Sequence, residues 1–126
     1  MKKLLFPAME SGKSLVLDEM NDPHAVPTNK HKRKIRKEMR FLEERPFAES
    51  QRNKRVKKLE GTGDESIYEL RIKAPSRMAY RLLFAIRSVG YVALRFFLKK
   101  SENYQAHTQV AIQRIKQYDE KTYDDP

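Results

Sequence analysis

From Ser66 to Lys100 the chain alternates apolar and polar residues with a period of two. Tyr68, Leu70 and Ile72 alternate with Glu69, Arg71 and Lys73. Tyr80, Leu82, Phe84 and Ile86 alternate with Arg81, Leu83, Ala85 and Arg87, and Val92, Leu94, Phe96 and Leu98 with Tyr91, Ala93, Arg95, Phe97 and Lys99. Successive side chains of a strand leave on opposite faces, so this pattern predicts three strands, each with one apolar face. Short separations between them make an antiparallel meander packed on helices.

Elsewhere the period is helical or absent. Residues 28–45 read as a helix that Thr28 or Asn29 caps and Pro46 ends. Its apolar stripe is narrow: Ile35, Met39 and Leu42, at i, i+4 and i+7. Residues 47–53 can form a second, short helix, and 106–118 a closing one with Ala111, Ile115 and Tyr118 on one side. The acidic end from Asp119 is expected to fray. Near the start, Leu4–Phe6 and Leu15–Leu17, separated by Ser11-Gly12, predict two short strands in a hairpin. Asn21-Asp22-Pro23 and Pro27 then break the chain. The expected fold class is α+β: an antiparallel meander sheet on one or more N-terminal helices, with a C-terminal helix. Residues 1–126 suit one domain, with 1–30 as an extended N-terminal segment.

Register brings charges together. Opposed residues of an antiparallel pair share a sheet face. Setting Arg87 opposite Tyr91 leaves a three-residue loop, Ser88-Val89-Gly90, and puts Arg81 opposite Phe97, diagonal to Arg95 and Lys99. Pairing Ile72 with Met78 or Tyr80 makes Arg71 a neighbour of Ala79 or Arg81. Arg71, Arg81, Arg95 and Lys99 then gather on one side of the sheet, with Lys57 and Lys58 entering from the preceding segment. Like charges across strands are destabilising, so the cluster reads as an anion site, since guanidinium forks bind phosphate in a bidentate manner. Glu69 and nearby backbone groups could instead neutralise it.

Composition points the same way. Lys and Arg number 27 against 17 Asp and Glu, a net of +10. Residues 28–60 carry 13 of the former and 5 of the latter, so most of the excess lies there. Arg33, Arg36, Lys37 and Arg40 cover the polar face of the first long helix. Ordinary solvated helices mix signs, so a phosphate-facing surface is favoured, though a solvated face accounts for any one side chain. Cysteine is absent, which excludes disulfides, thiol nucleophiles and thiolate-bound zinc. His24, His31 and His107 have no paired metal spacing, so neither metal nor cofactor is expected. No apolar run reaches the roughly 18 residues of a membrane span, and the start is too short in apolar residues for a secretory signal. A cytoplasmic, membrane-free protein is expected.

IYELRI (67–72), AYRLLF (79–84), FFLKKS (96–101) and AIQRI (111–115) follow one another in that order, preceded by KKLEG (57–61). Together they resemble the RelE/ParE toxin superfamily over residues 54–116, in particular its HigB-like, phage-derived branch. The resemblance implies a toxin of a type II toxin–antitoxin pair. Most such toxins cleave mRNA in the ribosomal A site without metal, whereas the ParE branch poisons DNA gyrase. Its implied partners are mRNA, ribosomal RNA and a cognate antitoxin. Arg81 matches the arginine of the YR strand, Arg71 the ELR position, and Lys99 and Lys100 the KK pair. Tyr104 and His107 lie where an aromatic or imidazole group is expected, although SENYQAHTQ (101–109) departs from the family pattern.

The implied catalytic set is Arg71, Arg81, Lys99, His107 and Tyr104. Lys57, Lys58, Arg95, Lys100, Arg33, Arg36, Lys37 and Arg40 are the implied RNA contacts. Charge stabilisation suits the arginines and Lys99, and proton transfer suits a histidine with an ordinary pKa near 6.5. His107 also reads as an exposed helix residue, and Tyr104 as a packing one. A non-catalytic binder of nucleic acid or gyrase with the same fold is the alternative.

Overall fold

The computed structural model describes residues 2–8, 11–100 and 104–124, with side chains as far as residue 120. A five-stranded sheet is its centre, with β1 (Leu4–Leu5), β2 (Val56–Lys58), β3 (Tyr68–Lys73), β4 (Ala79–Arg87) and β5 (Gly90–Leu98) in the order β1-β5-β4-β3-β2. The meander consists of β3, β4 and β5, antiparallel throughout. β2 adds an antiparallel edge strand next to β3, so Lys57 and Lys58 belong to the sheet itself. β1 lies parallel to β5 on the opposite edge.

The second N-terminal strand and its hairpin are not formed. Leu15–Met20 is instead a helix, α1, which Ser14 caps by accepting from the Leu17 amide at 3.3 Å. A three-residue apolar run suits either period, and the cap decides it. α1 lies beside β5, where Glu19 Oε1 accepts from the Phe96 amide at 3.0 Å. That carboxylate satisfies an edge-strand donor that a further strand would otherwise take.

α2 (Asn29–Glu44) follows, capped by Thr28 and ended before Pro46, and α3 is Phe47–Arg52. Ile35 and Leu42 of α2 are buried with Val16, Leu70, Ile72, Tyr80, Leu82, Phe84 and Phe96 on one face of the sheet. Phe47 of α3 meets the Tyr68, Phe84 and Tyr91 rings at 5.3, 6.4 and 5.8 Å, an aromatic cluster that anchors α3. The buried face of α2 also carries His31, which lies 2.5 Å from Thr28 Oγ1 and 3.0 Å from the Pro75 carbonyl.

The other face is not left open. α4 (Tyr104–Asp124) covers it, burying Ala111 and Ile115 against Ile67, Leu83, Ala85, Val92, Leu94 and Phe97. Leu83 and Ala85 supply the second apolar face that simple alternation hides. The helix extends past the expected end at 118, to Asp124. Asp119 Oδ2 accepts from Arg87 Nη2 at 2.7 Å, which ties α4 to the end of β4.

The β4–β5 connection is one residue shorter than expected, with Arg87 opposite Gly90 and Ile86 opposite Tyr91. A bulge between Leu83 and Phe84 leaves Leu94 as the extra residue of β5, and beyond it Arg81 faces Phe97 after all. Gly90 is demanded by close packing: a Cβ there would stand 2.5 Å from the carbonyl of Lys3, the residue before β1. Among the described residues no helix is long and apolar enough to cross a membrane.

Candidate phosphate-binding cleft

β3 and β4 bring Arg71 directly opposite Arg81, and Lys73 opposite Ala79. The Lys99 amide donates to the Ala79 carbonyl at 2.7 Å, extending the β4–β5 pairing by one residue. Arg71, Lys73, Arg81 and Lys99 therefore leave on one face at one end of the sheet. They line a cleft of about 650 Å³ that Lys34 of α2 and Lys54 and Arg55 of the α3–β2 connection complete. Among the lining residues one carboxylate, Glu38, faces seven basic side chains.

Two buried acids organise this excess. Glu69, 3% exposed, holds Arg71 Nε at 3.0 Å and has Oε2 3.8 Å from Arg81 Nε. Among the described residues Glu69 Oε2 and Arg81 Nε have no hydrogen-bond partner, so that contact is electrostatic only. The neutralising role considered for Glu69 is thus real but partial, because a single carboxylate serves two guanidiniums. Arg81 Nη1 donates to its neighbour's carbonyl, Tyr80, at 2.9 Å, which fixes the plane of its fork. Burial lowers the Arg81 pKa, Glu69 opposes that and Arg71 adds to it; a guanidinium stays charged at neutral pH regardless. Glu38, 5% exposed, holds Lys34 at 3.1 Å and Arg55 Nε at 3.1 Å, and Arg55 also lies 3.7 Å over the Phe41 ring. Lys99 is exposed and forms no ion pair among the described residues.

Of the five residues expected to act together, Arg71, Arg81 and Lys99 share this cleft and His107 does not. His107 stacks on Phe97 with ring centres 3.8 Å apart and planes 5° apart, and Tyr104 meets the same ring edge-on at 5.4 Å. Here the packing reading of Tyr104 holds. His107 lines a separate cleft of about 350 Å³ with Glu19, Asp22, His24, Arg95 and Lys100. Arg95 is drawn there too: Nε donates to His107 Nδ1 at 3.1 Å and Nη1 to Glu19 Oε2 at 2.5 Å. Its place in the cationic group is thus corrected: a neighbouring carboxylate and imidazole hold its guanidinium, and the sheet's other cations only repel it. The KK pair divides likewise, Lys99 to one cleft and Lys100 to the other.

The remaining expected contacts are dispersed. Lys57 lines a small cleft beside the first, while Lys58, the next residue of β2, leaves on the opposite face and is exposed. Arg33, Arg36, Lys37 and Arg40 form one exposed stripe on α2, opposite the side that buries Ile35, Glu38 and Leu42. Sequence reasoning missed Lys34, Lys54, Arg55 and Lys73. The run 54–58 was the available signal for two of these, but only the fold shows that it borders Arg71.

The His107 site predicts a pH response. Burial, then the Arg95 charge, push the His107 pKa down, and Glu19 opposes them. The unfolded chain, with its histidine near 6.5, therefore binds the proton more readily than the folded one. The stability contributed by neutral His107 is complete above that value and declines as pH falls from it through the folded pKa. Urea midpoints between pH 8 and pH 5 should fall more for the native chain than for His107→Gln, and parallel curves would refute the linkage.

Comparison of the chain with protein-family models, with curated proteins and with solved structures yields no match.

Proposed function

We propose that the protein is a toxin of a type II toxin–antitoxin pair, a metal-free endoribonuclease that cuts mRNA on the ribosome in the cytoplasm. The observation carrying this is the convergence of Arg71, Arg81 and Lys99, from three neighbouring strands, on one strongly cationic cleft. The ordered motif series from IYELRI to AIQRI supports the same reading.

In the proposed reaction the 2′-hydroxyl attacks its neighbouring phosphate, forming a P–O2′ bond as the P–O5′ bond breaks. The attacking hydroxyl gives its proton to a solvent water, and the departing 5′ oxygen takes one from an ammonium group that solvent then reprotonates. Arg71 and Arg81 hold the phosphate and stabilise the charge that builds on it. The ammonium groups of the cleft, Lys99 foremost, are the proton donors for the leaving oxygen. The exposed stripe of Arg33, Arg36, Lys37 and Arg40 serves ribosomal RNA. A cognate antitoxin would cover the cleft with an acidic or apolar segment.

One observation favours a second reading. Among the described residues no imidazole or phenol lines the Arg71–Arg81–Lys99 cleft, because His107 and Tyr104 are packed elsewhere. A non-catalytic inhibitor would occupy nucleic acid or gyrase without cutting.

Induced expression with mapping of mRNA 5′ ends separates the two. Codon-phased cuts in the native chain, abolished in Lys99→Ala, are expected; that exposed change leaves the fold intact. Growth arrest with DNA damage and no cuts would replace cleavage by gyrase inhibition.

A further inference from the structure

α3 ends in an unusual way. The Lys54 amide donates to the Gln51 carbonyl at 3.2 Å and the Arg55 amide to the Ser50 carbonyl at 3.0 Å. These are the two bonds of a Schellman stop, in which the residue after the cap takes a left-handed conformation and glycine is favoured. Here that residue is Lys54, with φ of 62°. An L side chain is strained in that conformation, and strain retained in a fold is associated with sites.

Lys54 stands where two clefts meet. It lines the cleft of Arg71, Arg81 and Lys99, and also a second of about 280 Å³ lined by Gln51, Val56, Lys57 and Arg71. Lys54 and Arg71 are common to both. Among the described residues no carboxylate lines the second cleft, while three cations and one neutral amide do. Lysines on an edge strand such as β2 deter pairing with other chains, which accounts for Lys58, on the face away from the cleft, and is a second role for Lys57. It does not account for Lys54, which precedes the strand and adopts the backbone conformation least suited to it.

We propose that Gln51, Lys54 and Lys57 form a second phosphate subsite, contiguous with the first through Lys54 and Arg71. One RNA strand then runs past the β2 edge with neighbouring phosphates in the two clefts. Arg71, fixed by Glu69, contributes to both, and Lys54 bridges them. The inference rests on the nucleic-acid reading of the first cleft and adds the path and polarity-independent spacing of its ligand.

Fluorescence anisotropy with a labelled 2′-O-methyl octauridylate, which cannot be cleaved, tests it. Lys54→Gly relieves the strained backbone, so its melting temperature should equal or exceed that of the native chain. Its affinity should nevertheless fall about fivefold, with a salt slope shallower by about 0.7, the value for one lost phosphate on a single strand. Lys57→Ala should behave alike, and Lys99→Ala should lose affinity through the first cleft. Native affinity and slope in Lys54→Gly and Lys57→Ala, with loss in Lys99→Ala, overturn the second subsite and leave the first standing. No binding by the native chain, or none of the three changes mattering, overturns both.

Discussion

Glu69→Gln is expected to lower folding stability by about 3 kcal/mol, the scale on which breaking a buried ion pair acts. The change is nearly isosteric, so it removes charge and little volume. Arg81 is only 8% exposed, and among the described residues Glu69 is the one carboxylate that its ion pairs include. Without its charge, a buried guanidinium faces Arg71 across the β3–β4 pair with only a neutral amide between them. The urea midpoint reads the loss. Adding Arg81→Met to Glu69→Leu should restore much of it, because an apolar pair of similar volume avoids burying charge. A midpoint for Glu69→Gln equal to the native value would mean that backbone carbonyls such as that of Tyr80 suffice for Arg81. Glu69 would then be no organiser of the cleft.

That dependence bears on how far the site was legible in the chain. Period-two alternation marks β3, β4 and β5 because each buries one face completely, and Thr28 with Pro46 brackets α2. Matching apolar faces allows two registers, with Arg71 beside Ala79 or Arg81, and the structure has the second. Arg81 opposite Phe97 was reached from a loop one residue too long, and the bulge at Leu94 makes up the difference. A bulge leaves no period, so that agreement was not earned by the turn.

What stayed hidden depends on contacts distant in sequence. Nothing in LVL distinguishes a strand from a turn of helix until Ser14 and the edge of β5 are in view. Glu19 lies 76 residues from Arg95, yet it decides that Arg95 leaves the cationic group. Phe97 decides the same for His107, by offering its ring to the first turns of α4. Lys34 and Arg55 reach the cleft because Glu38, a polar residue on the buried side of α2, holds both. Its position in the apolar stripe was the one local sign that this side of the helix also served charge.

For RNA cleavage, Arg81→Met should reduce the single-turnover rate on ribosome-bound mRNA by about 10²–10³-fold, the cost of one preorganised donor at a developing oxyanion. The loss should appear in the rate at saturation, because Arg71 and Lys99 remain to bind the phosphate. Arg81→Lys keeps the charge but not the planar fork, so it should recover only part of the rate. Folding is separable here: with Arg81 gone, Glu69 keeps its contact of 3.0 Å with Arg71, and a urea midpoint on the same sample verifies that the sheet is intact. The opposite pattern also has a clear meaning. A folded Arg81→Met that cuts at the native rate would reduce Arg81 to a counter-ion of Glu69, and the chemistry would have to lie elsewhere. The His107 cleft, where Arg95 and Lys100 accompany an imidazole held neutral by burial, would be the place to look.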